Sequence, residues 1–245
     1  NPPLNPQPGC PKTSDDGQLP AIRVDYENNR EERLPCVLLV DGSGSMVKND
    51  AIDELNTGLA GFAAALKRDP VAALRVQLLV IRFGGTVDKL CDWTDAENFE
   101  APQVEARGDT PLGEALDYAM RMVDEQVEIL RSQGIARKRP WIWVMSDGRP
   151  TDERWQDVAE RARIAQKDGK FFLYPVSVIT DPADAAHTAT LKKLSIEDKC
   201  IQIQGAEFDA FFKFVSNSSR AGSRQNVGPD VGIFQLHQID QIRMD

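Results

Sequence analysis

This sequence predicts an α/β fold, built on a doubly wound, mostly parallel six-stranded sheet with one antiparallel edge strand and helices on both faces. Three observations carry that prediction. Short apolar runs alternate with amphipathic segments from Leu34 onward, the rhythm of strands joined by crossover helices. Only Gly84-Gly85 separates the second and third apolar runs, a link that permits a hairpin and forbids a parallel crossover. The first and fourth runs each end in an aspartate, Asp41 and Asp147.

The elements follow in order. The first strand is Cys36–Asp41, a continuous apolar run of the kind buried in a parallel sheet. A helix over Lys48–Arg68 places Ile52, Leu55, Leu59, Phe62 and Leu66 on one face. Strands Leu74–Phe83 and Thr86–Leu90 form the hairpin. An irregular stretch, Asp92–Asp109, leads to a helix from Pro111 to Ser132, since proline in the first turn is a helix-start signal. Its inward face is Leu112, Leu116, Ala119, Val123, Val127 and Leu130. The fourth strand is Trp141–Asp147, followed by a helix over Glu153–Lys167 that Gly169 stops. Strand Phe171–Ile179, a short helix His187–Leu194, strand Lys199–Ile203 and a last helix Glu207–Val215, with Phe208, Phe211 and Phe212 inward, complete the domain.

Right-handed crossovers then fix the strand order as 3-2-1-4-5-6. The first and fourth strands become neighbours where the order reverses, and open α/β sheets hold their ligands in that crevice, at the carboxyl ends of the strands. Two carboxylates distant in sequence, Asp41 and Asp147, meet there. On these spacings the chain divides into a proline-rich N-terminal arm (1–33), a domain (34–222) and a C-terminal extension (223–245).

Composition narrows the function. The net charge is −9 over 245 residues, which argues against nucleic acid or an anionic membrane as the main partner. No apolar run reaches the roughly 20 residues of a membrane helix. The four cysteines, Cys10, Cys36, Cys91 and Cys200, lie far apart without a CxxC pair. They read as reduced and structural, which favours a cytoplasmic setting. His187 and His237 have no partner spacing that would suit a metal or a catalytic site. Arg137-Lys138-Arg139 reads as a solvated loop.

The chemistry lies in Asp41-Gly42-Ser43-Gly44-Ser45, directly after the first strand. A carboxylate and two hydroxyls at alternate positions on a glycine turn can converge on one point. Such hard oxygen donors suit a hard divalent cation. Two further segments complete the pattern: Gly108-Asp109-Thr110-Pro111 and Ser146-Asp147-Gly148. In order, spacing and context the three resemble the metal-ion-dependent adhesion site of von Willebrand factor A (VWA) domains, a Rossmann-like fold. Within that superfamily, Cys36-Val-Leu-Leu-Val-Asp-Gly-Ser-Gly-Ser-Met46, Gly108-Asp-Thr-Pro-Leu-Gly113, Arg139-Pro-Trp-Ile-Trp143 and Ser146-Asp-Gly-Arg-Pro-Thr-Asp152 resemble the bacterial TerY/YegL-like proteins of tellurium-resistance and stress operons.

The resemblance implies roles. Ser43 and Ser45 bind the cation through their hydroxyls. Asp41 and Asp147 supply negative charge, at least one of them through water. Thr110 enters or leaves the shell with the state of its loop, and Asp109 acts as a cap or as a support beside it. The implied cation is Mg2+, with Mn2+ or Ca2+ as alternatives. A coordination position stays open for the Asp or Glu of a protein partner, such as a kinase, phosphatase or ATPase of the same operon. The resemblance thus implies an interaction module, and from its residues the chain reads as no enzyme. It carries no GxxxxGK(S/T) loop, no GxSxG elbow and no histidine beside a candidate nucleophile. The competing reading is a Mg2+-dependent phosphohydrolase, but Ser43 stands where haloacid-dehalogenase-like enzymes need a second aspartate.

Overall fold

The computed structural model describes residues 24, 26–179, 188–203 and 217. The expected helix 207–215, most of the arm, the C-terminal extension and both histidines lie outside these residues. The elements are β1 (Leu34–Asp41), a short 3-10 helix (Gly44–Asp50), α1 (Ala51–Lys67), α2 (Pro70–Arg75), β2 (Val76–Gly84) and β3 (Thr86–Asp95). They continue as α3 (Leu112–Ser132), β4 (Trp141–Ser146), α4 (Trp155–Lys167), β5 (Phe172–Val178), α5 (Thr188–Lys192) and β6 (Ile201–Ile203). The sheet order is β3-β2-β1-β4-β5-β6, with β2 and β3 antiparallel and every other pair parallel, as predicted.

All eight residues of β1 are buried, and successive residues feed opposite layers. Cys36, Leu38 and Val40 face the layer that holds Leu55, Leu59, Phe62 and Leu66 of α1. Val37 and Leu39 face Leu112, Leu116, Ala119 and Val123 of α3, together with Val158 and Ala162 of α4. A central strand buried on both sides has no room for polar side chains until it leaves the sheet. The polar sequence therefore begins at Asp41.

Three boundaries shift from expectation for a local reason. Asp50 adopts a left-handed backbone (φ 58°), so the turn after Ser45 is 3-10 and α1 starts only at Ala51. Asp69 Oδ1 accepts from the backbone N–H groups of Val71 and Ala72, both at 3.0 Å, and caps a separate helix α2. This delays β2 to Val76. β3 runs on to Asp95 because a β-bulge, a register shift opposite Leu78–Ile81, restores its pairing with β2. The N-terminal lead also packs closely. Arg33 is fully buried, donating to Asn29 Oδ1 at 2.9 Å and lying 3.5 Å from Asp95 Oδ1.

Two expectations are corrected. The Arg137-Lys138-Arg139 loop is not merely solvated. Arg139 donates to the carbonyls of Gln166 and Phe171 and lies 3.9 Å from the Phe172 ring centroid, while Lys138 pairs with Glu32 at 3.0 Å. The cysteines are not all reduced either. Cys91 is disulfide-bonded, whereas Cys36 and Cys200 are free. Sequence spacing alone hid this pairing. Burial pushes the Cys36 and Cys200 thiols up to about 12, so both are inert packing residues. Among the described residues no helix is long and apolar enough to cross a membrane.

Candidate functional site

β1 and β4 run side by side, pairing Val40 with Met145. Their next residues therefore emerge together at the carboxyl edge of the sheet. Ser146 Oγ donates to Asp41 Oδ2 at 2.6 Å, and the other carboxylate oxygen of Asp41 accepts from Ser43 N at 2.8 Å. The second bond closes the Asp41–Ser45 turn on itself. It aims the Ser43 and Ser45 side chains the same way, with their hydroxyl oxygens 2.9 Å apart. Asp41, Ser43 and Asp147 are all buried.

Two loops lean on this turn. Gly44 N donates to Gly108 O at 3.0 Å and Arg107 N to Gly42 O at 2.7 Å, which brings the Thr110 loop against the turn. Thr110 N in turn donates to Thr151 Oγ1 at 3.1 Å, and Thr151 N returns a bond to Thr110 O at 2.9 Å. Thr110 is buried in this clamp. The five residues read as ligands thus stand on three loops that are hydrogen-bonded to one another.

Asp109 is not the cap of α3. It is exposed, its carbonyl accepts from Gly85 N at 2.8 Å, and no side chain caps α3 at Pro111. That role falls to Asp152, whose Oδ2 accepts from Glu114 N in the first turn of α3 at 3.3 Å. Asp152 lies just ahead of α4 in sequence, yet it serves α3 across the loop.

The donor set can be tested against a hard cation. Asp147 Oδ2 is buried and receives no hydrogen bond among the described residues. Its nearest cation is Arg149 Nε at 4.0 Å. A buried carboxylate oxygen left in this way is costly unless a charge meets it. Among the described residues no three His, Cys, Asp or Glu side chains gather as a metal site. A cation here would be held by two carboxylates and neutral hydroxyls, which fits Mg2+ or Mn2+ and excludes a soft-ligand zinc centre.

Burial, together with the charge of Asp147, pushes Asp41 up to about 6 from 3.8, against the lowering effect of the Ser146 and Ser43 hydrogen bonds. Between those two values the folded chain holds a proton that the unfolded chain releases. The metal-free chain should therefore lose stability as pH rises through that window, by on the order of 2–3 kcal/mol. Thermal unfolding in chelator, below and above the window, checks the sign. Cation affinity should run the other way and weaken as pH falls through about 6, because a proton then competes for Asp41.

Sequence reasoning missed two supports. Ser146 stood inside a quoted motif without a role, yet it holds Asp41. Arg82, at the end of β2, is 2% exposed and points into the loop cluster. Its signal was available: a lone cation inside the apolar run Leu78-Leu-Val-Ile-Arg-Phe83 must be paired.

Comparison with known proteins bears on the family and the fold. A family model, von Willebrand factor type A domain, matches residues 36–222. The fold is similar to the vWF domain of a type V pili tip protein from Porphyromonas gingivalis (10% identity, TM-score 0.63, 81% of this chain and 98% of that one). It is also similar to the pilus adhesin SpaC from Lactobacillus rhamnosus GG (14% identity, TM-score 0.61), where the match covers 78% of this chain and 31% of that one. A third similar structure is a von Willebrand factor type A protein from Catenulispora acidiphila (16% identity, TM-score 0.53, 78% and 43% covered). This chain thus matches about a third of the length of SpaC and nearly all of the pili tip domain. No curated protein matches the sequence. With a family model spanning most of its length and the predicted sheet order in place, the chain belongs to the von Willebrand factor type A domain family.

Proposed function

We propose that this chain is a metal-dependent protein-interaction module. A Mg2+ ion would be held by Ser43 and Ser45 directly, with Asp41, Asp147 and Thr110 around it, and a partner's Asp or Glu would complete its shell. The observation that carries this reading is Asp147 Oδ2, a buried carboxylate oxygen without a hydrogen bond among the described residues, on a loop beside two converging hydroxyls. Neutral hydroxyls at the metal leave it electrophilic, which suits capture of an acid.

Catalysis is the weaker reading. A phosphohydrolase built on the same carboxylates would need an acid/base group where Ser43 stands. The finer reading is a TerY/YegL-like component of a stress-response system, with a kinase, phosphatase or ATPase as partner, and it rests on the quoted motif segments alone. The cytoplasmic setting rested on reduced cysteines. A disulfide at Cys91 is the chemistry of an oxidising compartment and favours that setting instead.

The test is partner capture by the 245-residue chain in Mg2+, in EDTA and as Ser43→Ala. Capture should need the cation and fail in Ser43→Ala, while circular dichroism stays unchanged. Capture that survives both EDTA and the substitution contradicts the proposal.

A further inference from the structure

Arg82 divides its guanidinium between the β2–β3 hairpin and the loops that carry the proposed ligands. Nη2 donates to Gly42 O at 3.1 Å, inside the Asp41–Ser45 turn, and to Gly84 O at 3.0 Å. Nε donates to Glu105 O at 2.7 Å, in the irregular lead to Thr110, and Nη1 donates to Asp88 Oδ2 at 2.8 Å on β3. Asp88 Oδ2 is in turn held by Thr86 Oγ1 at 2.8 Å and by Arg107 Nη2 at 3.2 Å. One buried cation thus touches the metal-binding turn, the threonine loop and the hairpin.

The space confirms the fit. A Cβ on Gly42 would stand 2.6 Å from Arg82 Nε and 2.8 Å from Glu105 O. Glycine in the turn therefore lets the guanidinium pass beneath it. Burying an arginine needs full hydrogen bonding in return, and backbone carbonyls of two different loops supply most of it. A planar fork of donors can bridge such acceptors at once, and an ammonium on a flexible stem cannot.

We infer that Arg82 is a positioning residue, which locks the Asp41–Ser45 turn to the 105–110 loop and so sets where Thr110 stands relative to the cation. This rests on the proposed metal site. The prediction concerns coupling: Thr110 contributes to metal binding only while Arg82 holds its loop.

The experiment is a double-mutant cycle of Arg82→Lys and Thr110→Ala in the 245-residue chain, read by Mn2+ affinity with thermal unfolding alongside. Arg82→Lys should weaken Mn2+ binding by roughly tenfold or more. Thr110→Ala should weaken binding in the parent chain and have little further effect in Arg82→Lys. Additive effects in the cycle overturn the inference, because a merely structural arginine would lower stability without touching the Thr110 contribution. A parent chain in which Thr110→Ala changes nothing overturns it as well. Absence of Mn2+ binding by the parent chain is the separate failure of the metal site itself. If Arg82→Lys does not fold, Asp88→Asn replaces it. Of the Arg82 contacts that variant loosens only Nη1, and it loosens the Arg107 contact to the same oxygen with it; the same non-additivity is expected at smaller size, and additivity there overturns the inference too.

Discussion

Asp41→Asn is expected to lower divalent-cation affinity by roughly a hundredfold or more while leaving the chain folded. The amide keeps the acceptor for Ser43 N, and on the other side it meets the Ser146 hydroxyl, which can accept as well as donate. What it removes is a formal charge, one of the two buried carboxylates of the site. Loss of that charge should also stabilise the metal-free chain above pH about 6, where Asp41 is ionised, buried and facing Asp147. Calorimetric titration with Mg2+ and thermal unfolding in EDTA read the two effects separately. Affinity within a few-fold of the parent chain would remove Asp41 from the site.

Gly84→Ala should be the most damaging small substitution near the site. The new Cβ would fall on the Gly42 carbonyl and stand 2.8 Å from Arg107 O. These contacts are backbone, so no rotamer change relieves them. The Asp41–Ser45 turn and the threonine loop must both move away from β2. A cost of roughly 3 kcal/mol in stability is expected, together with at least tenfold weaker cation binding. Gly61→Ala is the control, since a Cβ there meets nothing within 4 Å. On the exposed side of α1 it should be neutral or stabilising by about 0.5–1 kcal/mol. Chemical denaturation of both variants checks the contrast.

The fold was legible because parallel strands buried on both faces leave continuous apolar runs, and because Gly84-Gly85 admits only a hairpin. The strand order then followed from crossover handedness. The short helix α2 was not legible. Val71-Ala-Ala-Leu74 reads equally as the approach to a strand, and only the Asp69 cap decides. The far half of β3 was hidden by Asp92, Thr94 and Asp95, polar residues that a bulged hairpin accepts. In the site, the alternate spacing of Asp41, Ser43 and Ser45 carried its own chemistry. The parts played by Ser146, Asp152 and Arg82 depend on distances across the fold, between residues far apart in sequence. The bonded state of Cys91 was likewise not legible in the cysteine spacing.

The central claim is one cation site with a coordination position open to an acid. Water-proton relaxation of Mn2+ added to the chain tests it most directly. Bound Mn2+ should show enhanced relaxation from exchangeable water in the open position. Acetate, as a probe for a partner's carboxylate, should lower that enhancement, and Asp41→Asn should abolish it. Mn2+ that does not bind, or that binds without exchangeable water and without response to acetate, contradicts the account.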